Sequence, residues 1–332
     1  MGSQKLKIRS SLVWSGGTAI LFGILVLVLL LMWGLNPTRF LKISNIQSMA
    51  FQLPELGLLS FAMMVAMISG GTNLSIISTA NLSGIVAALI MQAAQKSGTL
   101  APGIITAYAI LAAIAASAII GLLNGFLIAY IEVPPMLATL GTMIFLNGIS
   151  VSLTRGYVIS GFPEDFLFIG NGLVLGIPMP IILFAAAAAL IALLFDYTPY
   201  GFELYMLGTN PVATRYAGVN NRKILMKTYL LSGVLCGLAA IIMISRFNSA
   251  KSDYGASYLL VTMLAAVLGG VSVYGGSGKV SGIVLSLIIL QLLSSGLNLL
   301  RANAFFTRVV WGVVLILVMI INRISSYIKD RG

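Results

Sequence analysis

The stretch Gly275-Gly276-Ser277-Gly278-Lys279 is the nearest this sequence comes to a phosphate-binding loop. Such a loop needs a further Gly five positions before Gly278, where Val273 stands, and a Ser or Thr after the lysine, where Val280 stands. Nucleotide chemistry is therefore not expected in this chain, and any ATP that powers it must be bound by a partner. Other catalytic constellations are missing for want of residues. There is no His, and the one Cys, Cys236, lies inside an apolar run. That removes the usual zinc, haem and iron–sulfur ligand sets, every His-based triad and any disulfide within the chain. Cys236 reads as a small buried hydrophobe. No catalytic residue, metal site or cofactor is expected.

Ionisable groups at membrane depth are costly and usually functional, so the acids decide between transport mechanisms. Glu55, which follows Pro54 and is read as opening an apolar segment, is the one acid expected within the hydrocarbon zone. It is read as a solvated or paired terminus residue in preference to a proton site. Uncharged polar residues are better supplied. Asn73, Asn81, Asn124, Thr139, Thr142, Asn147, Gln291 and Asn298 all sit in or beside apolar segments. Each has two readings, a hydrogen bond between helices or a place along a path for a polyhydroxylated solute. As a set they suit a neutral hydrophilic cargo better than an ion.

The elements that must position these residues follow from composition. Of 332 residues 59% are hydrophobic and 8% are charged, against roughly 25% charged in a soluble domain. The charges are clustered, leaving uncharged stretches at 10–38, 56–95 and 97–131. A bilayer core needs about 20 apolar residues per helix, so each stretch holds one or two spans. We expect an all-α polytopic membrane protein with about ten transmembrane helices near 12–34, 47–68, 74–95, 103–130, 135–153, 177–196, 224–245, 258–271, 280–299 and 304–323. The span at 258–271 is short, and 304–323 carries Arg308 in its first turn. Broken or re-entrant segments are expected at Gly70-Gly71, at Pro134-Pro135 and at Gly269-Gly270 through Gly278, since non-helical backbone at membrane depth survives where protein buries it or a cavity hydrates it. The N-terminal apolar stretch is too long for a signal-peptide core and reads as a first span.

With Lys5, Lys7 and Arg9 on the cytoplasmic side, ten crossings return Arg323, Lys329 and Arg331 to that side, in keeping with the positive-inside rule. Spans two to five and seven to ten then enter from opposite sides, which suggests an inverted repeat. The net charge of +11 is scattered between apolar segments, so it points to membrane lipid and not to nucleic acid. Residues 1–332 read as one membrane domain with an inner loop at 197–223. In that loop Asn210-Pro211 is a helix start, Asn at the cap and Pro at the first position, and Gly218 is a stop. The two-turn helix between them, with Ala213 and Tyr216, is read either as a docking element for a soluble partner or as a surface helix at the membrane boundary.

Three stretches carry a resemblance. Leu122-Leu-Asn-Gly-Phe-Leu-Ile-Ala-Tyr130, continuing through Val133-Pro-Pro to Thr139-Leu-Gly-Thr142, is the first. Leu207-Gly-Thr-Asn-Pro-Val-Ala-Thr-Arg-Tyr-Ala-Gly-Val219 and Val267-Leu-Gly-Gly-Val-Ser-Val-Tyr-Gly-Gly-Ser-Gly278 are the others. In this order and spacing they resemble the permease subunits of ribose-type ATP-binding-cassette sugar importers, a family that also includes autoinducer-2 permeases. The resemblance implies a bacterial inner-membrane protein that works with a second permease, a copy or a paralogue. It further implies a periplasmic sugar-binding protein and a cytoplasmic ATPase dimer as partners. The coupling residues would be Gly208, Asn210, Pro211, Ala213, Tyr216 and Gly218, and the candidate translocation path Asn73, Asn81, Asn124, Thr139, Asn147 and Asn298. One departure stands out. The family usually reads Gly-Gly-Ile-Asp-Leu-Ser-Val-Gly after the second span, where this chain has Gly70-Gly-Thr-Asn-Leu-Ser-Ile-Ile77. Asn73 replaces a carboxylate, and since Asn is also a good cap the fold is not threatened. The alternative function is an ion-coupled secondary transporter of a small neutral solute, against which the missing His and buried acids argue.

Overall fold

The structure is a computed structural model that describes residues 16–98, 101–303, 305–307, 309–314 and 316. Among the described residues the main helices run in order: α1 (Gly16–Leu35), α2 (Ile43–Ile68), α3 (Ile76–Ser97), α4 (Pro102–Ala129), α5 (Pro135–Thr154), α6 (Glu164–Asn171), α7 (Met179–Tyr197), α8 (Pro199–Thr209), α9 (Pro211–Tyr216), α10 (Asn221–Phe247), α11 (Tyr258–Leu268) and α12 (Val280–Leu299). Strand β1 (Ile159–Ser160) pairs antiparallel with β4 (Ser249–Ala250), and β2 (Leu173–Val174) pairs with β3 (Ile177–Pro178).

Proline sets many of the starts. α4, α5, α7, α8 and α9 all have Pro at one of their first two positions, where its fixed φ suits the helix and its missing N–H is no loss. Left-handed residues end others: Gly98 after α3, Arg155 after α5 and Asn248 after α10.

Among the described residues seven helices, α2, α3, α4, α5, α7, α10 and α12, are long and apolar enough to cross a membrane, and they coincide with seven of the ten expected spans. Shorter apolar helices at Ile20–Leu35, Tyr258–Leu268 and Phe305–Val314 fall on the first, eighth and tenth. The protein is thus an all-α polytopic membrane protein. The basic residues at both ends, Lys5, Lys7, Arg9, Arg323, Lys329 and Arg331, lie outside the described residues.

Two helices carry the core. In α2 every residue from Leu53 to Ile68 is buried, and α7, α10, α11 and α12 pack around it. α10 crosses α4 with the backbones almost touching. A Cβ on Gly233 would lie 2.4 Å from the Ser117 carbonyl oxygen, and one on Gly121 would lie 2.5 Å from that of Tyr229. Small residues of this kind let membrane helices associate without a hydrophobic driving force between them. The blocks α2–α5 and α10–α12 each begin with a long buried helix, α2 and α10.

One placement differs from expectation. Pro54 and Glu55 do not open the second span; both lie inside α2, which begins eleven residues before Pro54, at Ile43. The segment 43–53 carries no charge and no breaker, so the helix continues outward past the proline, whose ring removes a single intrahelical hydrogen bond.

Candidate functional site

The break between α2 and α3 lies within the protein, packed by α5 and α10. Asn73 Nδ2 donates to Ser232 Oγ on α10 (2.9 Å), and Asn73 Oδ1 accepts from the Ser75 amide and hydroxyl (3.1 and 2.8 Å). Asn124 Nδ2 on α4 donates to Ser75 Oγ (2.9 Å), and Thr142 on α5 donates to Asn124 Oδ1 (2.7 Å). Thr139 accepts from the Leu74 amide (3.1 Å), and its single hydroxyl proton is shared between the carbonyls of Thr72 across the break (3.1 Å) and of Pro135 on its own helix (2.8 Å). Asn73, Asn124, Thr139 and Thr142 are therefore brought together in one buried network that ties α3, α4, α5 and α10 around the break. Their amides and hydroxyls are committed to one another, which fixes the helices in register.

The other polar candidates lie elsewhere. Asn81 is buried and donates to the carbonyls of Ser252 and Tyr254 (2.9 and 3.0 Å). Gln291 reaches Gln52 (3.3 Å). Asn147, on the broad exposed face of α5, and Asn298, near the end of α12, are exposed and do not join the network.

Tyr229 is fully buried beside the same break, and its hydroxyl has no hydrogen-bond partner among the described residues. That oxygen would be 2.7 Å from a Cβ placed on Gly71. A buried unsatisfied hydroxyl costs about 1–3 kcal/mol, so Tyr229→Phe is expected to leave the fold intact and raise stability by about 1 kcal/mol. Thermal unfolding in detergent checks this, and a lowered midpoint would show that the hydroxyl is bonded.

A second cluster is built on the 197–223 loop, which folds as α8 and α9. Asn210 Oδ1 accepts from the amides of Val212 and Ala213 (both 3.0 Å), capping α9 as its sequence predicts. Asn221 Nδ2 donates to the Pro211 carbonyl (2.8 Å) and holds the first turn from the other side. Gly218, at φ +82°, ends the segment in the left-handed region. Of the residues of α9 only Thr214 is buried; Val212 is 65% and Tyr216 89% exposed, and Pro211, Ala213 and Arg215 face outward too.

What α9 stands on was not legible as a unit. At Gly208 a Cβ would lie 1.9 Å from the Ile68 carbonyl oxygen and 2.4 Å from the Gly276 nitrogen. At Gly275 it would lie 2.8 Å from the Gly208 carbonyl oxygen and from Gly70. The Gly276 amide donates to the Ile68 carbonyl (2.9 Å), and Tyr205 on α8 donates to the Gly278 carbonyl (2.7 Å). Burial, with the charge of Asp196 adding to it, pushes the Tyr205 hydroxyl up to about 12, so it stays a donor at physiological pH. Three backbones thus meet at glycines from distant parts of the chain: the end of α2, the end of α8, and the loop between α11 and α12. The only sequence signal was the glycines themselves.

A family described as "Branched-chain amino acid transport system / permease component" matches residues 45–319. The autoinducer 2 import system permease protein LsrD of Yersinia enterocolitica is 32% identical over 89% of this chain and 88% of that protein. LsrD of Yersinia pseudotuberculosis is 30% identical over 94% of this chain and 92% of that protein. The ribose import permease protein RbsC of Bacillus subtilis is 33% identical over 92% of each chain. The chain belongs to the ribose-type permease family of ATP-binding-cassette importers. No solved structure matches it.

A third cluster lies at the far end of the permease from α9. Glu55, fully buried in α2, receives Arg246 Nη2 on Oε1 (2.6 Å), Arg246 Nε on Oε2 (3.1 Å) and the Tyr258 hydroxyl on Oε1 (2.7 Å). The carboxylate is therefore paired, as one of its two readings had it, but within a helix and not at a terminus. Arg246 ends α10 and Tyr258 begins α11, so one side chain joins three helices. α6 is held to the same place: Ser245 Oγ accepts from the Gly170 amide (2.7 Å) and donates to the Phe166 carbonyl (2.6 Å).

Proposed function

We propose that this chain is the translocation subunit of an ATP-driven importer of a monosaccharide or a similar small polyhydroxylated solute. On this reading a periplasmic binding protein delivers the solute, a cytoplasmic ATPase dimer docks on α9, and a second permease, copy or paralogue, completes the path. The protein is multi-pass in the bacterial inner membrane with both ends cytoplasmic, and the whole chain works as one domain whose 197–223 loop couples to the ATPase. The observation that carries the reading is α9: a short helix, capped at Asn210 and ended at Gly218, that offers Val212 and Tyr216 to a partner while its base at Gly208 abuts the backbone of α2 and of the 269–278 loop. The names of the ribose and autoinducer-2 relatives support the solute class.

Nucleotide-driven closure of the ATPase pair would displace α9 and, through the glycine contact, the inner end of α2 and the loop joining α11 to α12. That motion would open or close a path at the interface between the two permeases. Asn147, on the exposed face of α5, and Asn298 are the candidates for solute contact, while Asn73, Asn81, Asn124 and Thr139 hold the wall behind it. Glu55, the one buried acid among the described residues, is held in an ion pair, which weighs against proton coupling.

Tyr216→Glu puts a charge where an apolar or aromatic groove must receive the helix. It is expected to reduce ATP-dependent uptake in proteoliposomes containing the binding protein and ATPase by at least about tenfold, the effect of losing roughly 1.4 kcal/mol at a hot spot, without lowering membrane insertion. Undiminished uptake, or uptake by this chain alone driven by a proton gradient, would sink the proposal.

A further inference from the structure

The β2–β3 hairpin turns through Leu175 (φ +52°) and Gly176 (φ +82°). Two-residue hairpin turns with both central residues at positive φ favour Asn or Asp before Gly, because an aliphatic side chain is strained there. This turn instead places a leucine at its tip, 98% exposed. Leu173, Val174 and Ile177 beside it are exposed as well. The hairpin packs against the first turns of α2: Gln47 Nε2 lies 3.5 Å from the Gly176 carbonyl oxygen, and there Ile43 (76% exposed) and Ile46 extend the same apolar surface.

Three features decide what covers this surface. Its large exposed side chains, Leu173, Val174, Leu175, Ile177, Ile43 and Ile46, are all aliphatic, with exposed Lys42, Ser44 and Ser48 beside them on α2; the segments 43–53 and 171–181 carry no charge and no aromatic except Phe51, whereas protein interfaces are enriched in Tyr, Trp and Arg at their centres. Its strand backbone is paired internally, Leu173 with Pro178 and Val174 with Ile177, which is what backbone needs at a bilayer boundary. It also adjoins α7, which starts at Met179 directly after β3 and has no polar residue from Met179 to Phe195.

We propose that the tip of this hairpin, with Ile43 and Ile46, is a membrane anchor that enters the boundary between headgroups and acyl chains of the adjacent leaflet. Interfacial elements of this kind bury an apolar face by roughly 5–10 Å. The anchor would hold the start of α7 and the outer part of α2 at a fixed depth, independently of which solute is carried.

The test uses the full chain in phosphatidylethanolamine and phosphatidylglycerol vesicles. Cys236→Ala removes the native thiol, Leu175→Cys supplies a new one, and an environment-sensitive fluorophore is attached. The expected result is blue-shifted emission, quenched by lipids bearing a nitroxide near the glycerol and protected from aqueous iodide; the same label at Asp253→Cys, whose side chain is 60% exposed, should behave as in water. Emission like water with full iodide quenching would overturn the proposal, and so would a blue shift that appears only when another protein is added, which would make the tip a protein-docking element. A second variant guards against a local folding effect. With the label at Ile177→Cys, Leu175→Asn suits the left-handed turn and should keep or raise thermal stability in detergent while shifting the emission toward that of water. An unchanged emission in that variant would show that Leu175 does not set the depth.

Discussion

Gly208→Ala is expected to abolish coupled transport while the chain still reaches the membrane. The added Cβ would meet the Ile68 carbonyl oxygen at 1.9 Å and the Gly276 nitrogen at 2.4 Å. Both are backbone atoms, so no side chain can rotate away, and α8 must lift from α2 or the 269–278 loop must shift. Overpacking of this kind costs about 1–3 kcal/mol, occasionally more. The Gly276 hydrogen bond to Ile68 and the Tyr205 bond to Gly278 cross the same junction and would be strained together. Because α9 begins three residues later, at Pro211, its position relative to the inner end of α2 changes whichever side gives way. Uptake and solute-stimulated ATP hydrolysis should both fall below detection, and membrane yield should fall much less. Gly218→Ala is the control. That glycine, unlike Gly208, has positive φ (+82°), but nothing lies within 4 Å of its Cβ position, so only the left-handed strain of about 1–2 kcal/mol applies, at a site next to α9 and not beneath it. Wild-type transport by Gly208→Ala would mean that this contact does not carry motion.

The comparison of these two glycines also shows what a sequence reveals here and what it does not. The spans could be read because a bilayer demands long uncharged apolar runs, and the seven long helices fall where those runs are. Asn210-Pro211 could be read as a helix start because capping is local chemistry. The meeting of Gly70, Gly208 and Gly275 could not be, since nothing in a one-dimensional pattern says which glycines approach each other when some 200 residues separate the first from the last. The polar residues were ambiguous for a related reason. Asn124 and Asn147 both sit in apolar helices, yet one bonds Ser75 and Thr142 inside the protein and the other faces outward. Helix rotation decides between bonding and exposure, and apolar residues on every side of a membrane helix leave too little amphipathic contrast to give that rotation away.

Glu55 is the other residue whose role depends on a distant partner, and its replacement should produce the largest loss of stability in the protein. Glu55→Gln leaves Arg246 largely buried with no counter-charge, and breaking a buried pair from one side costs about 3–5 kcal/mol. Arg246→Met should cost a similar amount by stranding the carboxylate, which would retain only the Tyr258 hydroxyl. Tyr258→Phe removes a hydrogen bond to a charged group but leaves the pair intact, so its cost should be smaller, about 1.5–3 kcal/mol. The informative variant is the double one, Glu55→Leu with Arg246→Met. If the singles are harmful chiefly because they leave a lone charge where water cannot reach, the double substitution should recover most of the loss, since well-packed apolar replacements of buried pairs are often neutral or better. The resulting interaction energy would be several kcal/mol and of the sign that marks coupling. If the double variant is instead as unstable as the sum of the singles, each side chain acts through its own contacts: Arg246 through its stacking over Phe247 at 4.3 Å, and Glu55 through the packing of α2. Denaturant unfolding in a single detergent, followed by loss of helical signal, separates the two cases. Because the carboxylate joins the middle of α2 to the end of α10 and the start of α11, about 13 residues along α2 from the glycine contact, a recovered fold that no longer transports would further assign the ion pair to holding these three helices together during movement, a task that apolar packing does not replace.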